Sequence, residues 1–386
     1  MATSQSNDAH STERLATVSP GFQVPPSERM AHVPASPCTT DLLRETSELE
    51  AELRGRFGVD LGQYAASSHT DAMLIVHRGR AIWEFSAYPD GGRLLHPVMS
   101  CSKVVCGTLA GVLADRQILD PRMLVTEYVR ELRNTSFAGA TVRQLLDMTT
   151  GTAFNEEYVD GEPTLAERAR GLGPSLTRGY YEDGIMRYAQ TVPNARIHGE
   201  VFNYRSILID VLAQVLERAG GGKYADLLGR YLWGPIGAQD DALVFLDPFG
   251  RPFASVGMWI SPRDLLRLGT MWISHGLAQD GTRILSGEWV NETWCPSNGA
   301  RRQFRGSPYR LSKQMPGGWF RNGWWGLGAD TGAIVALGIY GQVCFLHRDS
   351  ETVVVKVSQW PRPESDSLMA QQIQVGRQIV ETLSAR

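Results

Sequence analysis

Ser100 and Lys103 stand three residues apart in the stretch Pro97-Val98-Met99-Ser100-Cys101-Ser102-Lys103. Three residues is close to one helical turn, so on a helix both side chains point to the same side. A serine hydroxyl is a weak nucleophile until a base takes its proton. A lysine one turn away can be that base when its pKa is lowered. The spacing is that of an S-x-x-K acyl-transfer centre. The chain has only four lysines, Lys103, Lys223, Lys313 and Lys356, and only Lys103 follows a serine by three residues. Arginine, the usual cation of this chain, stays protonated and cannot act as the base. The competing reading is a surface Ser and Lys on the first turn of a buried helix.

Such a centre needs a group that relays the proton to the leaving group, and two N–H donors for the oxyanion. Tyr204, in Gly199-Glu200-Val201-Phe202-Asn203-Tyr204-Arg205-Ser206, stands in a loop just before an expected helix. Near an ammonium a tyrosine can have its pKa lowered and shuttle a proton; otherwise Tyr204 is an aromatic that packs the interior. Cys101 points in a different helical direction from Ser100 and Lys103, and reads as a small packed residue. No Gly-x-Ser-x-Gly elbow and no His-Glu-x-x-His occurs, and none of the eight histidines pairs recognisably with a serine.

The elements that must position these residues divide by period. Ala72–His77 and Ala81–Phe85, joined by Arg78-Gly79-Arg80, predict a β-hairpin. Ala333 to Tyr340, Val343 to His347 and Thr352 to Gln359 predict an antiparallel meander, with a last helix from Ser365 to Leu383. Between them lie predicted helices at Val142 to Met148, Ile207 to Ala219 (stopped by Gly220-Gly221-Gly222) and Asp264 to His275 (opened by Ser261-Pro262). A further helix is expected from a cap at Thr40 or Asp41 through Leu53 and Phe57. The expectation is therefore an α+β fold. One antiparallel sheet, built from both ends of the chain and flanked by helices, carries an inserted, mainly helical lobe. Residues 1–39 read as an extended arm and 40–386 as one catalytic domain. Residues 40–120 and 330–386 form its sheet region, and about 121–329 its lobe. A cleft between lobe and sheet is where a site belongs.

Ser100-x-x-Lys103, then Tyr204-x-Ser206, then a glycine-containing strand near the C-terminus resembles the class C β-lactamase and penicillin-binding-protein superfamily. Within it the chain is similar to the nylon-oligomer hydrolases and their carboxylesterase-like relatives. The likeness is carried also by Leu145-Leu146-Asp147-Met148, Asn155 to Asp160, Asp210-Val211-Leu212-Ala213, Trp324-Trp325, Gly338-Ile339-Tyr340-Gly341-Gln342 and Val355 to Pro361, from about residue 70 onward. The resemblance implies a β-lactamase/transpeptidase-like fold with Ser100 as nucleophile, Lys103 as base or proton store, and Tyr204 as relay. It implies an oxyanion hole of the Ser100 and Ile339 N–H groups. It places Tyr158, Trp325, Ser206, Tyr340 and Ser255 at the substrate. Ser206 stands where most β-lactamases have asparagine, and Ala336-Leu337-Gly338 where they have Lys-Thr-Gly. A β-lactam carboxylate therefore lacks its usual partner. Glu167-Arg168-Ala169-Arg170 is basic where nylon-oligomer hydrolases place acidic or amide groups, and residues 161–200 are the stretch expected to decide specificity.

The bulk properties narrow the setting. Hydrophobic residues make up 42% and charged residues 20%, with a net charge of -3. That balance gives no electrostatic reason to expect nucleic acid or an anionic membrane as partner. Five cysteines without a C-x-x-C pair indicate neither a disulfide framework nor a zinc site, and no metal or cofactor is implied. Met1 to His10 lacks the basic and apolar regions of a signal peptide, and the expected location is cytoplasmic. Three functions stay open. A hydrolase cleaves a small-molecule amide or ester, with water resolving the acyl-enzyme. A transacylase resolves it with an amine, as in capuramycin-like antibiotic biosynthesis. A non-catalytic protein would bind a small molecule on the same fold. The oligomeric state is not readable.

Overall fold

The computed structural model describes residues 30–34, 43–44, 48–88, 94–153, 184–328 and 331–385. Strands β1 (Met30–Val33) and β2 (Leu43–Arg44) come first, then helix α1 (Glu48–Phe57). The helix starts at Glu48, not at Thr40 or Asp41, because Leu43 and Arg44 pair in parallel with Arg80 and Ala81. Glu48 and Glu50 in its first turn and Arg54 and Arg56 in its last suit the helix dipole. Strands β3 (Thr70–His77) and β4 (Arg80–Ser86) form the expected hairpin. Strand β5 (His96–Pro97) leads into a 3₁₀ turn at Met99–Cys101, which continues as helix α2 (Ser102–Asp115). Helix α3 (Val142–Leu146) opens with a capping box between Thr141 and Gln144, and α4 (Ser206–Gly220) stops at the expected glycine run.

Strands β6 (Ala242–Phe245) and β7 (Met258–Ile260) follow, then α5 (Pro262–Ile273), capped by the Ser261 hydroxyl, which accepts the Asp264 N–H. The chain then builds β8 (Trp319–Arg321), β9 (Trp324–Gly326), β10 (Ala333–Gly338), β11 (Gln342–His347), β12 (Thr352–Ser358) and α6 (Asp366–Ser384). Among the described residues the main sheet has the order β2-β4-β3-β12-β11-β10-β9-β8, antiparallel except for the β2–β4 edge. Strands β11 and β12 are buried along their whole length, and β3 at all but its last residue, as continuous apolar runs covered on both faces are. Val353, Leu346 and Cys344 lie against α5 at Gly269, while Phe345, on the opposite pleat, lies against α6 at Gly376. The α+β fold with its flanked antiparallel sheet is the one the sequence predicts.

A second sheet, β1-β6-β7-β5, was not foreseen. Together with β8 and β9 it puts strands inside the stretch expected to be mainly helical. Its role is positional. Val98 N–H donates to the Met258 carbonyl at 3.0 Å, so β7 holds the chain immediately before Ser100. On the far side of α2, Trp272 of α5 donates its indole N–H to Thr108 Oγ1 at 3.0 Å. Among the described residues no helix is long and apolar enough to cross a membrane.

Candidate active site

Ser100 lies in the 3₁₀ turn and Lys103 in the first turn of α2, so the three-residue spacing does bring them to one side. Lys103 Nζ donates to Ser100 Oγ at 2.9 Å and to the backbone carbonyl of Ser255 at 2.9 Å. Lys103 is 1% exposed, which removes the surface-pair reading. The turn is pinned by its neighbour: Ser102 Oγ donates to the Met99 carbonyl at 2.5 Å and accepts the Met258 N–H at 3.1 Å. Met99 itself sits at φ 48, in the left-handed region, a conformation that costs a non-glycine residue about 1–2 kcal/mol. Its side chain is buried in a cluster with Ile339 and Tyr340. Cys101 is fully buried, and desolvation pushes its thiol up to about 12 although Lys103 pulls the other way, so it stays a protonated, packed thiol.

Tyr204 comes from the segment that enters α4. Phe202 N–H donates to the Gln303 carbonyl and Asn203 N–H to the Met148 carbonyl, which fixes the backbone on both sides of this segment. The Tyr204 ring stacks on Tyr309 and on Trp325, each with centroids 5.2 Å away, and meets Phe320 edge-on. Lys103 Nζ lies 4.8 Å from the Tyr204 ring centroid. Ser100, Lys103 and Tyr204 are thus brought together from two helix starts. A neutral lysine in this position can take the serine proton, and a phenol beside it can pass one on.

Strand β10 ends against this turn. A Cβ on Gly338 would come within 2.8 Å of the Val98 carbonyl, so only glycine lets the strand end come this close to the segment that leads to Ser100. Ile339 and Tyr340 follow in a tight turn, with Tyr340 at φ 61, and Gly341 at φ 88 with its Cα against the Trp360 indole. The clamp on the turn is Gln342. Its Nε2 donates to the carbonyls of Ser358 at 2.7 Å, Tyr340 at 3.2 Å and Ile339 at 3.4 Å, and its Oε1 accepts the Ser358 N–H at 3.1 Å. Gln342→Ala is expected to lower stability by roughly 2 kcal/mol, because buried backbone groups lose their partner. Gln342→Glu is expected to be no better, since a carboxylate cannot donate. Urea unfolding of the two variants checks this.

A second Ser–Lys pair lies deeper. Lys356 Nζ donates to Ser358 Oγ at 2.5 Å and to the Ser68 carbonyl at 3.5 Å, between the rings of Tyr64 and Trp360. The two residues are two apart on β12, with the lysine first, so the pair does not follow S-x-x-K spacing. Both residues are buried, and the pair reads as structure. Burial lowers the Lys356 pKa to about 7, with Asp71 opposing. Asp71 is itself paired with His96 at 2.9 Å. Unfolded, the lysine titrates near its ordinary value of about 10.4. Between those values the unfolded chain binds more protons, so stability must rise as pH increases from about 7. Below that the cost of burying the cation is present in full. The expected result is that unfolding free energy rises more steeply from pH 7 to 9 in the wild type than in Lys356→Met. The difference in slope is at most about 1.4 kcal/mol per pH unit, read from urea unfolding at each pH.

The remaining expected site residues fall in different places. Tyr158 and the basic stretch at Glu167 to Arg170 lie outside the described residues. Trp325 is 2% exposed and backs Tyr204 with its ring face. Ser206 is buried as the first residue of α4, and Tyr340 is buried in the turn. Ser255, expected at the substrate, is buried with its N–H and hydroxyl both given to Asp210, and it meets the site through its carbonyl. Asp210 and Gln342 stand in stretches that carry the family likeness, but neither was expected to have a role at the site. Asp210 had a signal, a carboxylate within the buried run from Ser206 to Leu216, which requires a specific partner.

The profile of the Beta-lactamase family matches residues 61–377, and the chain belongs to that family. The matched stretch contains Ser100, Lys103, Tyr204, Ser255 and Ile339. The chain is 34% identical over 309 residues to the 6-aminohexanoate-dimer hydrolase of Paenarthrobacter ureafaciens, covering 79% of this chain and 76% of that one. Among solved structures it is similar to one from Bacillus anthracis provisionally described as a 6-aminohexanoate-dimer hydrolase. The TM-score is 0.77, identity is 22%, and the match covers 91% of each chain. It is also similar to EstCE1, described as a hydrolase with promiscuous acyltransferase activity. There the TM-score is 0.62 and identity 16%, over 87% of this chain and 98% of that one. At these identities the structural likeness is one of fold.

Proposed function

We propose that the protein is a serine hydrolase that cleaves a small-molecule amide or ester through a covalent acyl-enzyme on Ser100. The observation that carries this is the 2.9 Å contact of Lys103 Nζ with Ser100 Oγ, in a slot where Lys103 has almost no solvent. Ser100 Oγ attacks the carbonyl carbon, and its proton goes to Lys103 Nζ. The oxyanion is held by the N–H groups of Ser100 and Ile339. Collapse breaks the C–N or C–O bond, and the leaving group departs with a proton relayed by Tyr204. Water then attacks the ester on Ser100, and the acid is released with Ser100 regenerated. The 34% identity to a 6-aminohexanoate-dimer hydrolase supports an amide substrate. Trp325, Ser206 and Tyr340 line or support the substrate end in this reading.

A second reading replaces water by an amine, giving a new amide, as an antibiotic-pathway transacylase does. The burial of Lys103 and Tyr204 favours it, because a centre that excludes water spares an acyl-enzyme for another acceptor. Both readings are tested by incubating the protein with p-nitrophenyl esters, alone and with a panel of amines. Mass spectrometry then records the intact protein and the products. An acyl adduct on Ser100 with acid as product supports hydrolysis, and amide in place of acid supports transfer. No adduct and no nitrophenol release sinks both, and leaves a binding protein on this fold.

A further inference from the structure

Helix α4 is buried from Ser206 to Leu216, and Asp210 within that run is 0% exposed. Each of its oxygens accepts from the same residue: Oδ1 takes the Ser255 N–H and Oδ2 the Ser255 hydroxyl, each at 2.8 Å. The Ser255 carbonyl in turn accepts from Lys103 Nζ at 2.9 Å, and Lys103 donates to Ser100. A buried chain therefore runs Asp210–Ser255–Lys103–Ser100, from α4 to the nucleophile. A two-point grip on a single residue fixes the plane of its peptide, and with it the direction of the carbonyl that seats the lysine.

We propose that Asp210 is the positioning residue of the acyl-transfer centre: through Ser255 it seats Lys103 against Ser100, and its buried charge is the counter-ion of the lysine. This rests on the acyl-transfer reading above. Among the described residues, the titratable neighbours of this chain include Cys101 and Cys106 on α2, Cys344 on β11, which burial also pushes upward, Tyr224, and Tyr204 at the start of α4. Burial pushes Cys101, Cys106 and Tyr224 upward, and they stay neutral over the working pH range. Arg205 gives Nη1 to the Thr150 carbonyl at 3.1 Å.

The role separates into seat and charge. Asp210→Asn keeps an acceptor for the Ser255 N–H and a polar group for its hydroxyl, but removes the charge. Asp210→Ala removes both. The readout is the rate at which an alkyl fluorophosphonate labels Ser100, followed by intact mass from pH 5 to 10, with thermal unfolding alongside. Asp210→Asn is expected to keep the wild-type plateau rate while its acid limb moves down by about one pH unit, because a lysine without its counter-ion deprotonates more easily. Asp210→Ala is expected to fall about 100-fold at every pH, because the lysine loses its seat. Superimposed profiles of wild type and Asp210→Asn overturn the proposal, whatever the stability of Asp210→Ala. A wild type that takes no label overturns the acyl-transfer reading itself, and the proposal with it.

Discussion

Ser100→Ala is expected to lose turnover by at least about 10⁴-fold, the scale on which a covalent nucleophile's removal is felt, while the protein stays folded. The substitution deletes one oxygen and one hydrogen bond, the one from Lys103 Nζ. Lys103 keeps the Ser255 carbonyl and the Tyr204 ring face. The turn is held by Ser102, Met99 and Val98 rather than by the Ser100 hydroxyl. The stability change is accordingly expected to stay within about 1 kcal/mol. Ester hydrolysis, together with urea unfolding of the same preparation, checks both halves. Near-normal turnover in a folded variant places the nucleophile elsewhere.

Lys103→Arg is expected to be nearly as damaging, for two separable reasons. Arginine keeps the positive charge but cannot accept a proton at any working pH. Its guanidinium is also larger than the ammonium that fits between Ser100, the Ser255 carbonyl and the Tyr204 ring, and overpacking a closed site costs about 1–3 kcal/mol. Lys103→Met separates these reasons, since it fills the slot without the charge. Loss of kcat/KM in both variants, with the acid limb of the wild-type pH profile abolished in each, identifies the lysine as the proton acceptor. An active Lys103→Arg would reduce Lys103 to an electrostatic role.

The sequence reading was strongest where one residue type dictates one local shape. The β3–β4 hairpin, the β10–β12 meander and the ends of α4 and α5 follow from alternation, glycine and N-cap serine, which act over a few residues. It was weakest where the decisive partner is remote or is backbone. Strands β5 and β7 are two and three residues long and exist through remote pairing, β5 with β7 and β7 also with β6. The helix expected at Thr40 yields to a pairing of Leu43 with Arg80 that no local pattern encodes. At the site, Ser100, Lys103 and Tyr204 could be named because their side-chain types suit acyl transfer, and the structure brings Lys103 against both of the others. Ser255 was named for its side chain, but what it brings is a carbonyl oxygen, which every residue has.

The centre of the main sheet joins β3 to β12, and the pairing of His77 with Thr352 spans 275 residues. Contacts of such high order form late, because closing so long a loop must precede any reward from the pairing. The turn carrying Ser100 lies inside that loop, and the strand end bearing Ile339 arrives just before β12. On the ribosome, the Ser100 turn is therefore made long before the surface that completes its surroundings. Until β12 emerges, β3 has an open edge of bare apolar strand, the kind of surface that chaperones shield.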